Sequence, residues 1–215
     1  DAKRVYFANP DNPMGSWHTA DTVQGLIDKL PGSCLLVLDE AYIDLAPSGT
    51  APALLPETDN VIRLRTFSKA YGMAGARVGY AIGPKSLMTA FEKMRNHFGL
   101  SRISQAGALA ALQDQAYVAE IKEKVAKSRA TLAQIAQDNG LTSLPSATNF
   151  VTVDCGGDGD FAGKVLDQMI ARSVFVRMPA VAPMNRCIRI SCGAEDAMAL
   201  VAKTLPEALK AARAS

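Results

Sequence analysis

Apolar and polar positions change period several times along the chain, and each change marks an element. Residues 4–10 (RVYFANP) read as a strand running into a proline-rich turn. In residues 19–30 (TADTVQGLIDKL) Val23, Leu26, Ile27 and Leu30 recur at helical spacing, with Thr19 placed to cap the helix. Residues 34–44 (CLLVLDEAYID) begin as an unbroken apolar run, the pattern of a buried parallel strand, and Asp39 falls at its end. Residues 46–60 carry Pro47, Gly49, Pro52 and Pro56 and read as a loop. Short apolar runs at 61–64 (VIRL) and 78–83 (VGYAIG) predict two more strands.

Helical patterns follow over 83–99, 101–114 and 116–138, and Asn139-Gly140 is a stop signal. Beyond Gly140 strands and helices alternate. Strands are expected at 147–155, 174–177 and 186–192, helices at 161–172 and 195–214, with Pro206 kinking the last. The sum is an α/β fold: a mostly parallel sheet flanked by helices, then a smaller α+β domain at the C-terminal end. The boundary is placed inside the long helix, giving domains of 1–115 and 116–215.

Composition narrows the chemistry. At 215 residues the chain forms one large domain or two small ones, and 48% hydrophobic residues suffice for a core. A net charge of +2, with basic residues scattered, argues against nucleic acid as a partner. No apolar run approaches the ~20 residues of a membrane helix, so no membrane role is expected. Four cysteines without a CxxC pair and two histidines argue against zinc, and no metal is expected. Free thiols in a reducing cytoplasm are the expectation. The sequence GGDGD (156–160) lacks calcium-ligand spacing and reads as a turn.

The candidate chemistry gathers in residues 65–83 (RTFSKAYGMAGARVGYAIG). Lys69 sits there among small residues and hydroxyls. A lysine held in a cleft loses basicity and becomes a nucleophile toward carbonyls. Thr66 and Ser68 add hydroxyl donors and Arg77 a guanidinium, a set that suits a phosphate beside an aldehyde. Pyridoxal 5'-phosphate carries both groups. A lone Ser-Lys with a nearby Arg is otherwise ordinary surface loop, so the other motifs decide. Asn12 lies in NPDNPMG (9–15), and Asp39 and Tyr42 in LVLDEAY (36–42). Such a site needs an aspartate on the pyridinium nitrogen. It also needs Asn and Tyr on the ring hydroxyl, a lysine on the aldehyde and an arginine on the phosphate.

With SATNF (146–150) and CIRIS (187–191), five motifs stand in the order found in one family. The chain resembles the fold-type I pyridoxal-phosphate aminotransferases of class I/II, most closely the histidinol-phosphate branch. Met14 departs from the usual Thr of NPTG, while Asn12 is kept. The resemblance covers this whole chain but only the C-terminal part of the family. It implies the aspartate-aminotransferase-like fold with an incomplete large domain, and a cytoplasmic homodimer. It also implies transamination between a small-molecule amino donor, histidinol phosphate foremost, and a 2-oxo acid, 2-oxoglutarate. Lys69 would be the catalytic base, Arg189 and Asn149 would hold the substrate carboxylate, and Arg177 the distal phosphate. An aromatic amino acid aminotransferase and a non-catalytic fragment are the alternatives.

Overall fold

The structure, a computed structural model, describes residues 2–53 and 58–214. The loop expected over 46–60 is thus described only in part, and Pro56 lies outside the described residues. Packing divides the chain into two compact units. One comprises Asp1–Asp11 and Trp17–Lys122, the other Asn12–Ser16 and Glu123–Ser215.

The first unit is built on a four-stranded sheet ordered β1 (Arg4–Ala8), β2 (Leu35–Asp39), β3 (Val61–Thr66), β4 (Gly79–Ile82). The first three strands are parallel and β4 runs antiparallel to β3. Helix α1 (Ala20–Lys29) makes the crossover from β1 to β2. Its start is set by Thr19, whose Oγ1 accepts the Thr22 N–H at 3.3 Å. Its apolar stripe, Val23 with Leu26, Ile27 and Leu30, packs on Leu36, Leu38 and Val61. Burying each such leucine contributes about 1.5–3 kcal/mol. The helices α2 (Lys85–Met94) and α3 (Arg102–Gln113) follow, and α4 (Gln115–Asp138) carries the chain from the first unit into the second.

The helix expected over 83–99 stops at Met94. Arg95 turns extended (φ −69°, ψ 149°) and the Asn96 side chain accepts the Phe98 N–H at 3.1 Å. An Asn that satisfies backbone locally competes with helix propagation.

The second unit has an antiparallel sheet ordered β5 (Thr142–Ser143), β6 (Phe150–Asp154), β7 (Cys187–Ser191). Helices α5 (Gly159–Ala171) and α6 (Glu195–Ala214) pack with the later turns of α4 around a continuous apolar core. Met169, Ile188 and Leu205 in that core are fully buried. Asp158 of the GGDGD turn caps α5, its Oδ1 accepting the Phe161 N–H at 2.9 Å. Helix α6 continues through Pro206.

The strand expected at 174–177 does not form. Ser173 adopts φ 62°, and the Val174 N–H closes α5 by donating to Met169 O at 3.0 Å. The segment is consumed by this helix ending, and only a single bridge, Arg177 to Arg189, joins it to β7.

Candidate active site

The three parallel strands end in register, with Ala8 beside Asp39 and Asp39 beside Leu64. Carboxyl ends of parallel strands are where open α/β sheets place their chemistry. Asp39 is the last residue of β2 and is half-buried. Its Oδ1 accepts the Ala41 N–H at 3.0 Å and its Oδ2 accepts the Tyr6 hydroxyl.

Glu40, next in the chain, points the other way and is 1% exposed. Two arginines of β3 bracket it: Arg63 Nη2 bonds Oε1, and Arg65 Nε bonds Oε2 at 2.9 Å. Arg63 Nη1 also donates to Pro52 O and Ala53 O at 3.1 and 3.0 Å. A buried carboxylate is tolerable only with such partners. The Glu40 N–H donates to Leu64 O at 2.9 Å, so the peptide that follows Asp39 is held by backbone and side chain alike. Glu40 is therefore a structural residue.

Lys69 follows β3 in a turn anchored by its neighbours. Phe67, Ala70 and Tyr71 are buried, and the Phe67 and Tyr71 rings meet at 4.8 Å between centroids. The Phe67 N–H donates to Val78 O at 3.1 Å, and the Gly72 N–H to Lys69 O at 3.0 Å with Gly72 at φ 68°. Lys69 is half-buried, and its ammonium lies 4.9 Å from the centroid of the buried Tyr42 ring. Among the described residues no carboxylate pairs with it. The Thr66 hydroxyl accepts the Ser68 N–H at 3.1 Å and donates to Val78 O at 3.3 Å, so it organises the turn. The Ser68 hydroxyl has no hydrogen-bond partner among the described residues.

Arg77 is exposed and adopts φ 55°, ψ 46°. Left-handed backbone at a non-glycine residue costs roughly 1–2 kcal/mol. Its Nη1 donates to Ala74 O at 2.8 Å, and Ser104 Oγ of α3 ties the same turn by donating to Ala76 O at 2.9 Å. Asp39, Tyr42, Thr66, Ser68, Lys69 and Arg77 thus all belong to the first unit.

Asn12, Asn149, Arg177 and Arg189 belong to the second. The loop carrying Asn12 is fastened there by the Thr152 hydroxyl donating to Pro13 O at 2.7 Å and the Ala147 N–H donating to Gly15 O at 2.9 Å. Gly15 has φ 83°, and a Cβ there would meet Ser146 Oγ at 2.5 Å, so only glycine fits. Arg189 Nη1 donates to Asn12 Oδ1, and its guanidinium lies 4.7 Å from the centroid of the Phe150 ring. Asn149 is half-buried, and its backbone carbonyl accepts the Cys192 N–H at 2.8 Å.

Arg177 and Arg189 exchange both backbone hydrogen bonds, at 3.1 and 2.6 Å. Directly opposed residues of a bridge project their side chains to one face, so two cations share it. The Arg177 guanidinium lies 5.6 Å from the Phe175 ring centroid.

The sequence reading missed Tyr6, Arg63 and Arg65. Arg63 and Arg65 alternate on β3, a period-two signal that two cations face one element, yet their acceptor lies more than twenty residues away. The second unit also holds a cavity of about 800 Å³ between α4 and α6, lined by Ser128, Ile135, Cys192 and Met198 among others. None of the candidate site residues lines it. Cys192 there is a thiol pushed up by burial. All four cysteines are free. No cluster of three or more metal-ligating side chains occurs among the described residues, and no helix among them is long and apolar enough to cross a membrane.

Comparison with known proteins bears on this arrangement. The family model for aminotransferase class I and II matches residues 1–205. Histidinol-phosphate aminotransferase of Bacillus pumilus is 36% identical over 217 residues, covering all of this chain and 59% of the relative. That of Geobacillus sp. is 34% identical over 209 residues, covering 96% of this chain and 56% of the relative. The crystal structure of histidinol-phosphate aminotransferase from Sinorhizobium meliloti in complex with pyridoxal-5'-phosphate superposes with a TM-score of 0.95 at 52% identity. That match covers 97% of this chain and 58% of the other. The chain therefore spans a little over half the length of the relatives it matches. Aspartate aminotransferase of Thermus thermophilus, at 22% identity and a TM-score of 0.81, shares the fold.

Proposed function

The chain belongs to the aminotransferase class I and II family, and from that premise we propose that it carries the catalytic lysine of a pyridoxal-phosphate-dependent transaminase acting on histidinol phosphate and 2-oxoglutarate. The observation that carries the proposal is Lys69: a half-buried ammonium without an acidic partner among the described residues, on a turn beside the carboxyl ends of β2 and β3.

The donor set fits the cofactor. Lys69 offers an amine to its aldehyde, and Ser68 and Arg77 offer a free hydroxyl and a guanidinium to its phosphate. Each Asp39 oxygen accepts one bond here and has a second lone pair for the ring nitrogen. Tyr42 and Asn12 would serve the ring hydroxyl. Thr66, bonded within the turn, would support Ser68 rather than reach far itself. When bound, pyridoxal 5'-phosphate supplies an aldehyde carbon to carry the amino group and a protonated ring to take up electrons.

The chain's own residues do the rest. Lys69 Nζ would hold the aldehyde carbon and, when free, would take the proton from the substrate α-carbon as general base. The aromatic face of Tyr42 beneath Nζ limits where the ammonium can swing. Arg189 would bind a carboxylate with its fork, while Asn12 and Phe150 fix the guanidinium plane. Two guanidiniums on one face repel until an anion joins them. Arg177 beside Arg189 therefore suits a donor phosphate in one half-reaction and 2-oxo acid carboxylates in the other. Asn149 would add an amide to the carboxylate. A cytoplasmic homodimer, with free thiols in a reducing compartment, completes the proposal.

A second reading, an aromatic amino acid aminotransferase, draws on the apolar surface at Arg177, where Phe175 and Val181 are exposed. Steady-state kinetics of the complete protein with histidinol phosphate, phenylalanine and tyrosine separates the two. The proposal expects the highest kcat/KM with histidinol phosphate, and expects Arg177→Ala to weaken that donor selectively. A preference for phenylalanine or tyrosine overturns the histidinol phosphate assignment.

A further inference from the structure

The hydroxyl of Tyr6 donates to Asp39 Oδ2. Strand register explains the reach. Tyr6 pairs with Val37 and Ala8 with Asp39, so Tyr6, Val37 and Asp39 share one face of the sheet, and a tyrosine spans the diagonal to the residue two positions on. The opposite face carries Leu36 and Leu38 against α1. Tyr6 is 63% exposed, so its ring adds little to the core, and Asp39 is its specific contact. With the Ala41 N–H on Oδ1, each carboxylate oxygen has one donor from the protein. The phenol is pushed up to about 12, first by this hydrogen bond, then by burial and by the Asp39 charge. It therefore stays protonated, and stays a donor, across the neutral range.

We propose that Tyr6 is a positioning residue for the ring-nitrogen site: its hydroxyl, opposed by the Ala41 N–H, locks the Asp39 carboxylate so that one fixed lone pair is presented to the cofactor. This rests on the assignment of Asp39 above. Without the phenol the carboxylate keeps one anchor and can rotate about its Cβ–Cγ bond. Tyr6 touches neither substrate nor cofactor on this account and acts only through Asp39.

The test uses the complete apoprotein and pyridoxal 5'-phosphate labelled with 15N in the ring. Tyr6→Phe removes one oxygen and keeps the ring. It should weaken cofactor binding, read from the absorbance titration, by roughly tenfold, the scale of a lost hydrogen bond to a charged group. The 15N resonance of the ring should also move from its wild-type position. In an Asp39→Ala background, the same Tyr6→Phe change should add nothing further to either readout, because its partner is gone. An unchanged affinity and resonance in Tyr6→Phe overturns the inference. So does an equal loss in both backgrounds, since Tyr6 would then act through something other than Asp39. If Asp39→Ala alone leaves the ring resonance in place, Asp39 is not the nitrogen's partner. That result removes the underlying assignment and this inference with it, and is recognisable from the single variant.

Discussion

The two units bury different things. The second closes on twenty apolar residues drawn from α4, α5, α6, its sheet and the turns between them, and its buried polar residues, among the described ones, are hydroxyls: Ser128, Thr148, Thr152 and Thr204. The first has an apolar cluster of Val23, Leu36, Leu38 and Val61 beside α1 and further buried apolar residues such as Leu45, Ile62, Phe67 and Val78, but its buried polar residues include Glu40, Arg63 and Asn9. Burying charge is costly unless each group is paired, so the first unit spends interior positions on polar scaffolding that the second does without. That scaffolding stands beside the candidate chemistry: Glu40 follows Asp39, and Arg65 precedes Thr66. A site built from strand ends needs its peptides fixed, and the ion cluster of Glu40, Arg63 and Arg65 does the fixing.

The comparison is broken or sharpened by substitutions at three positions in the complete protein, read from denaturant midpoints. The largest effect is expected from Glu40→Ala, which leaves Arg63 and Arg65 facing a buried void; about 3–5 kcal/mol should be lost. A loss below about 1 kcal/mol, the range of exposed pairs, would erase the distinction between the units. Next is Leu205→Ala in the second unit, fully buried, expected to cost about 2–5 kcal/mol. Leu205→Met should cost less than about 1.5 kcal/mol, because apolar volume is all that position requires. Were Leu205→Met as damaging as Leu205→Ala, the second core would depend on shape far more than this account allows. The smallest effect is expected at Phe98, which is 95% exposed. Phe98→Ser should stay within about 0.5 kcal/mol, and a larger loss would mean that the first unit's apolar surface is covered in the complete protein.

Much of the first unit was legible in the sequence because its signals are local. The apolar run before Asp39, the helical spacing from Val23 to Leu30 and the Thr19 cap each lie within one element, and each element formed. The misses depend on partners far along the chain or on small competing bonds. Residues 174–177 have strand composition, yet Ser173 and Val174 were already committed to ending α5. The helix from Lys85 was expected to run on, but the side chain of Asn96 satisfied the backbone of Phe98 instead. Strand β5, at two residues, is too short to show a period. At the candidate site the residue types were legible and the allegiances were not. Asn12 lies only eight residues after the first strand begins, yet its loop is fastened to the second unit through Arg189, Thr152 and Ala147. Tyr6 carried no motif at all, because its role depends on the register between β1 and β2.

The central claim is that Lys69 holds the cofactor. The direct measurement is to add pyridoxal 5'-phosphate to the complete protein, reduce with borohydride, digest, and locate the pyridoxyl group by peptide mass spectrometry. The account predicts a single modified lysine, Lys69, and no attachment in Lys69→Ala. A pyridoxyl group on any other lysine, or one still incorporated stoichiometrically in Lys69→Ala, would contradict it.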